Sequence, residues 1–465
     1  MRCFFIIVFM LTASFQSFAA EQNKNSIKAG FAKVKITPPV GTAMTGFGPR
    51  DYDPSGSKGI HDDLYARAVY ISQGGKQLLI MGFDLLFFSR EEADRFKGAI
   101  GRKMDILPGN ILLNTSHTHT GPKVGSWDYT PSDALYLNFV ENAIVNAALE
   151  AKKSARSVTI WAGSGTSELP MNRRKKLESG IVDFAPNPKG PTCKSLPVCL
   201  FKGMDGKPVA VLFSVSCHPS TIKGDDRAYW ISADYPGSAM SKLDKYFGKD
   251  CSMFLQGAAG DAKASVIGKG EEHWRSGTWD DVDKAGAMVS KEVISVVESG
   301  LKKYTPDLKT CSFEMEFPMS EPIDKTTLES IMANPKAHSE SEPEAMKRWA
   351  EDQLNMMKKG YERPKTVPVT AQGIKLADGL RIIGIEGEIV AELGMLINNF
   401  YKNGVTFALG YSNGAQLYIP TSAMIDEGGY EVESYWEYHF PAPLKKGIED
   451  VLKDALVKFK KNGIN

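Results

Sequence analysis

Several things are scarce in this 465-residue chain. One is charge of a single sign: 56 Lys and Arg stand against 55 Asp and Glu, a formal net charge of +1. The charges are mixed along the sequence, and nothing in them points to a nucleic-acid partner or another polyanion. Long apolar runs are also scarce. The one present is N-terminal, in "MRCFFIIVFMLTASFQSFAAEQ": Arg2, apolar residues from Cys3 to about Phe15, then small residues. This order predicts a secretory signal peptide over residues 1–20, cleaved after Ala19 or Ala20. No later run is long enough for a membrane span. The expectation is an exported protein, periplasmic or secreted, with no integral membrane span. Cysteine is sparse too, and five remain beyond the signal peptide: Cys193, Cys199, Cys217, Cys251 and Cys311. None of them has zinc-ligand spacing. Cys193 and Cys199 flank a Pro-containing loop and are candidates for a small disulfide. Cys217, in an apolar stretch, reads as a buried small hydrophobe.

What is present is a regular alternation. Runs at 31–39, 64–72, 77–87 and 110–118 are β-branched or apolar and are broken by Gly, Pro and Asp. Between and after them, 90–104 and 132–155 have helical periodicity, the second with Leu135, Phe139, Ile144 and Ala148 near one face. Strand signals return at 208–222 and 251–264, a helix at 280–301, and strands again at 366–390 and 404–420. The pattern predicts an α/β fold of layered mixed sheets with flanking helices. Residues 321–365 differ: they are highly charged and helical, and predict a helical insertion placed as a solvated helix pair or as a flap over a site. Residues 21–465 read as one large domain carrying that insertion.

Only seven histidines occur, yet His117 and His119 stand one residue apart in "LLNTSHTHTGP". On an extended strand, residues two apart share a face, so the two imidazoles should project together. That is half of a zinc site or a pair of hydrogen-bonded surface histidines. His218, in "SVSCHPST", ends an apolar strand and is either a satisfied core histidine or a ligand facing a pocket. Glu388, in "IIGIEGEIVAELG", follows a strand too apolar to accept an unpaired carboxylate. It needs a cation or a donor, unless it is a loop residue or Glu386 takes the role.

Taken in order, these places resemble the neutral/alkaline non-lysosomal ceramidases, specifically their zinc-bearing catalytic domain. The resemblance runs through "VKITPPVGTAMTGFG", "GIHDDLYARAVYI", "NTSHTHTGP", "MNRR", "CHPS", "ADYPG", "LQGAAGD", "GIEGEIVAELG" and "YIPTSAMIDEGGYE", nearly the whole of the mature chain. It implies Zn²⁺ held by His117, His218, Glu388 and Tyr418. It implies that His119 stands beside the attacking water or the scissile carbonyl, and that Arg173 binds a polar head or a carboxylate product. The family's two tyrosines stand twelve residues apart, as Tyr418 and Tyr430 do here, which makes Tyr430 the second pocket tyrosine. Such a set suits hydrolysis of an amide or ester.

The sequence departs from that family at one place in particular. Where the ceramidases have Val-Ser-Pro after Gly-Asp, "GAAGDAKASV" places Ala262 and Lys263, and Ser265 comes two positions late. Lys263 either turns out to solvent or crowds a neutral ceramide head and favours an anionic or sugar substrate. The family's C-terminal immunoglobulin-like domain has no counterpart after "HFPAPLKKGIEDVLKDALVKFKKNGIN", and the insertion is charged rather than greasy. The expectation is therefore a secreted zinc hydrolase acting on a small-molecule, lipid or glycan-linked substrate. Ceramide itself is one alternative, and a non-catalytic ligand-binding protein on the same fold is another.

Overall fold

The structure, a computed structural model, describes residues 26–465 apart from 52, 54, 126–130, 269–271 and 340–341. The expected signal peptide lies outside the described residues. Nine strands form the larger sheet: β1 (Ile27–Lys35), β2 (Tyr65–Gln73), β3 (Lys76–Phe83), β4 (Ile111–Thr115), β5 (Arg156–Thr166), β6 (Ser195–Gly203), β7 (Pro208–Val215), β8 (Ser252–Gln256) and β9 (Lys302–Tyr304). Their order is β8-β7-β6-β5-β1-β2-β3-β4, with β9 pairing off β5. A second sheet has β10 (Pro306–Pro318), β11 (Thr366–Ala377), β12 (Leu380–Ile385) and β13 (Val405–Leu409) in sequence order.

The two sheets pack face to face. Val69, Ile71, Ile80 and Leu112 on the first meet Ile374, Leu376, Ile382 and Phe407 on the second in one buried cluster. Residues of the opposite parity, such as Ala68, Leu79 and Met81, point the other way, onto helices α1 (Arg90–Met104) and α2 (Pro131–Lys153). Helices α3 (Asp234–Phe247) and α4 (Trp279–Glu298) cover the far end of the same face. Helices α7 (Ala391–Phe400) and α8 (Ile448–Lys461) cover the second sheet. The result is four layers, helix–sheet–sheet–helix. Sheets buried on both faces need apolar residues at both parities, which is why β3 from Leu78 on, and β12 apart from Arg381, read as apolar runs.

One motif occurs three times. An antiparallel hairpin is followed by a helix and a strand parallel to the hairpin's second arm: β2-β3-α1-β4, β6-β7-α3-β8 and β11-β12-α7-β13. In open parallel sheets the loops at the carboxyl ends of such strands collect ligand-binding groups, and here the loops after β4, β7, β8, β12 and β13 converge. The sequence carries no visible repeat because each copy has its own loops and only the strand–helix pattern is shared.

The insertion forms α5 (Lys325–Ala333) and α6 (Pro343–Lys358). Trp349, Met346, Leu328 and Ile331 pack with Trp436 into a small core of their own. The charged face remains outside, while Ala345, Arg348 and Trp349 reach the cavity described below.

Three sequence expectations need correction. Leu135 is 71% exposed and Phe139 47%, so they are not on the buried face of α2. That face is Tyr136, Val140, Ala143, Ile144, Ala147, Ala148 and Ala151, a stripe one step round the helix. Cys193 and Cys199 form no disulfide, because all five cysteines are free. Cys199 points from β6 into the core between the sheets, whereas Cys193 packs against Asn398, 3.6 Å from its amide nitrogen. The strand bearing the histidine pair stops at Thr115, short of His117. Cys217 is buried, as its apolar setting predicted.

The α2 correction can be tested by chemical denaturation. Ile144→Ala should cost about 2–5 kcal/mol through the cavity it leaves, while Leu135→Gln should change stability by no more than about 0.5 kcal/mol. A large loss in Leu135→Gln would restore the face expected from sequence.

Candidate metal and catalytic site

Three imidazoles meet at the carboxyl ends of β4 and β7. His117 and His119 follow β4, but strand alternation is not what aligns them. The chain has left the sheet, and His117 takes φ 65°, a left-handed conformation that costs a non-glycine residue free energy. Backbone bonds hold the turn: the His117 amide donates to Leu85 O (2.9 Å) and the His119 amide to Pro219 O (3.0 Å). His218 sits just past β7, its amide bonded to Ala262 O at 2.9 Å.

Each ring is tethered in the same way. Nδ1 of His117 lies 3.0 Å from Leu86 O, Nδ1 of His119 2.6 Å from Gly46 O, and Nδ1 of His218 2.7 Å from Ala259 O. A carbonyl only accepts, so each Nδ1 carries the proton and each Nε2 of a neutral ring keeps its lone pair. The three ligand atoms lie within 4.8 Å of one another. Nε2 of His117 and of His119 is buried without a hydrogen-bond partner. An unpaired buried acceptor costs about 1–3 kcal/mol, so the donor set fits a cation held between the rings.

Glu388 closes the group. Its Oε2 stands 3.2 Å from His117 Nε2 and 3.3 Å from His218 Nε2. Tyr438 donates to Oε1 at 2.5 Å and Tyr411 to Oε2 at 3.1 Å. Burial pushes the carboxyl pKa up, but the neighbouring histidines outweigh it, and the group is held well below the usual range. Burial, with the Arg173 charge adding to it, takes His218 down to about 3; burial and the other two rings lower His119 well below its ordinary value. These two imidazoles are thus neutral at ordinary pH.

Glu386, the alternative carboxylate, is committed elsewhere. It pairs with Arg90 at 2.7 Å and accepts from Thr370 N and Gln416 Nε2. Between the two acids, Gly387 at φ 143° turns the chain so that they no longer share a face. Glu388 then pairs in parallel with Tyr418.

Tyr418 places its hydroxyl 3.3 Å from His218 Nε2 and accepts from Arg173 Nη2 at 3.1 Å. Arg173 in turn donates from Nε to Glu431 at 2.8 Å, and Arg174 donates to the other oxygen of that carboxylate at 2.7 Å. Arg173 is therefore held by an internal carboxylate as well as facing the cavity. Tyr430 lies at the mouth, 38% exposed, with its ring edge-on to Tyr418 at 5.4 Å and its hydroxyl on Glu437 at 3.0 Å.

Lys263 does not turn out to solvent. It is 3% exposed, on a short strand (Ala262–Ala264) bridged to His218. Burial, then the charges of Lys223 and Arg173, bring its amine down to about 7. All eight residues singled out from the sequence line one cavity of about 590 Å³, together with Phe47, Leu86, Phe87, Phe184, Lys223, Trp349 and Tyr438.

Sequence reasoning missed Tyr411, Tyr438, Lys223 and Glu431. Tyr411 had a faint signal in the glycines of "GYSNG"; it too has positive φ, 50°. Tyr438 and Lys223 carried none, since an aromatic in "SYWEYHF" and a lysine in "STIKGDD" look like ordinary surface residues.

The fold is one already seen in ceramidases. A solved ceramidase complexed with C2 superposes with a TM-score of 0.70 at 14% identity, covering 94% of this chain and 75% of that one. The neutral ceramidase of Pseudomonas aeruginosa gives 0.68 at 15% identity with the same coverage. No family model and no curated protein matches the sequence. The likeness first read from short motifs is thus found in the three-dimensional fold, which is that of the neutral ceramidases.

Gly387 offers a test of the geometry. A Cβ there would stand 2.8 Å from Ile419 Cδ1, on a backbone that L side chains rarely adopt. Gly387→Ala should cost about 1–3 kcal/mol in thermal unfolding and move Glu388 away from the imidazoles. An unchanged melting temperature would show that the turn does not depend on glycine.

Proposed function

We propose that the protein is an exported zinc-dependent hydrolase of an amide or ester bond. The observation that carries this reading is the shared tether of three imidazoles, each with Nδ1 fixed on a carbonyl and Nε2 aimed at a common space beside Glu388. The residues assigned to hold the metal are His117, His218, Glu388 and Tyr418. Zinc, when bound, supplies a Lewis acid and lowers the pKa of a water to about 7.

The chain's own groups do the rest. His119 is half-buried and faces the cavity, whereas the rings of His117 and His218 both touch Glu388. His119, neutral and with a free Nε2 lone pair, accepts the proton from the attacking water and delivers it to the leaving nitrogen or oxygen. Arg173, whose Nη2 reaches the Tyr418 hydroxyl, supplies the donor for the oxyanion as the carbonyl becomes tetrahedral. Phe47, Phe87, Trp349 and Tyr430 supply walls against which the acyl part packs. Export rests on the N-terminal residues alone. The ceramidase activity of the structural neighbours favours an acyl amide as the scissile group.

Metal analysis of purified variants tests the assignment. His117→Ala and His218→Ala should each lose most of the bound zinc while keeping a native circular dichroism spectrum. His119→Ala should retain the metal and lose about 10²–10⁴-fold in kcat. A full zinc equivalent in either of the first two would overturn the ligand set; zinc lost in step with activity in the third would make His119 a ligand.

A further inference from the structure

The cavity holds a feature that amide hydrolysis does not use. Three cations surround the ring of Phe184: Arg173 Cζ at 4.8 Å, Lys223 Nζ at 5.7 Å and Lys263 Nζ at 5.8 Å from its centroid. Arg173 has Glu431 to balance it. Lys263 has no such partner: among the described residues neither its amine nor that of Lys223, which is exposed, makes a hydrogen bond or an ion pair, and their contacts are with aromatic faces, Lys263 also lying 5.6 Å from the ring of Trp274. An aromatic face returns less to a cation than burial takes from an ammonium by desolvation. Lys263 is 97% buried by its 3% exposure and lines the cavity, so its charge is directed at whatever occupies that space.

The position is built, not incidental. Lys263 is held by backbone pairing to Met171 on one side and His218 on the other. The loop carrying Lys223 is pinned by Thr221, whose amide and hydroxyl donate to the two oxygens of buried Asp234 at 2.9 and 2.7 Å. Of the cavity's carboxylates, Glu388 takes the tyrosine hydroxyls and Glu437 that of Tyr430, while Glu342, at the start of α6, lines the cavity and its charge favours the ammonium of Lys223.

We infer that Lys263 and Lys223, with Phe184 between them, form a subsite for an anionic group of the substrate, a carboxylate or a sulfate, on the half released from the acyl chain. The inference rests on the hydrolase reading for the word substrate, and on these lysines alone for the anion. Because Lys263 lines the same cavity as His119 and His218, the anionic group belongs on a part of the substrate close to the scissile carbonyl. An acylated amino acid or an acylated, sulfated amino sugar has that spacing. A ceramide, whose head carries only hydroxyls, leaves the buried Lys263 amine unanswered.

Calorimetric binding to the full-length mature protein tests this with two matched pairs: N-acetylglycine against N-acetylglycinamide, and N-acetylglucosamine 6-sulfate against N-acetylglucosamine. At least one anionic probe should bind about ten-fold or more tightly than its neutral counterpart, as a desolvated charge-assisted contact requires, and the margin should shrink with added salt. The pair that shows the margin identifies carboxylate or sulfate as the group. Lys263→Met should abolish the margin, Lys223→Met should reduce it, and Lys263→Arg should keep most of it, which separates loss of charge from loss of fold. Equal binding within both pairs would overturn the subsite, as would a margin that survives Lys263→Met. Zinc is measured on the same samples: zinc present with no margin sinks the subsite alone, and a margin without zinc sinks the hydrolase reading alone.

Discussion

Three backbone carbonyls organise this protein's site. Leu86 O, Gly46 O and Ala259 O each take the Nδ1 proton of one histidine, and in doing so decide where the other nitrogen points. An imidazole turned over would place a proton where a lone pair is needed, and the three Nε2 lone pairs could not face one space. The carbonyls come from distant parts of the chain: the end of the first hairpin, the N-terminal loop and the turn after β8. The donor set therefore forms only when the larger sheet and its loops are assembled.

The surrounding structure bears the cost of that convergence. His117 and Tyr411 take left-handed backbone conformations, and Glu388 is wholly buried. A buried carboxylate is tolerable because two tyrosine hydroxyls donate to it, and the Nε2 lone pairs of two imidazoles beside it leave a place suited to a cation. Asp261 does comparable work from behind. It accepts from the Ala391 amide and from Asn172, and so ties the turn after β8 to the start of α7 and to the strand carrying Arg173. Burial pushes its carboxyl up to about 7.

Threefold use of a hairpin-plus-crossover unit explains how so many donors reach one place. Each unit ends a parallel strand pair toward the same side of the molecule, and each contributes there: His117 and His119 from the first, His218 and Lys263 from the second, Glu388 and Tyr411 from the third. The charged insertion then covers the open side, with Trp349, Arg348 and Glu342 toward the cavity and most of its other charged residues outward. Its composition reflects that placement, since only one stripe of α6 meets the protein.

The sequence by itself determined the layered α/β class, the positions of α1 and α2, and the identity of most groups around the cavity. Apolar parity, helical periodicity and a rare H-x-H are local signals, and local signals survive in one dimension. The helix expected over 90–104 spans Arg90–Met104, and in the structure a capping box of Ser89 and Glu92 starts it. What only the tertiary structure decided is which of two equivalent-looking residues does what. Glu386 and Glu388 differ in sequence by nothing but position, yet Arg90 claims one and the imidazoles the other. Leu135 and Ile144 are both apolar on α2, and packing buries only the second. Lys263 could have faced water, and the pairing of its strand with Met171 and His218 turned it inward beside Lys223. In each case the deciding partner lies far along the chain, and only long-range packing brings it near.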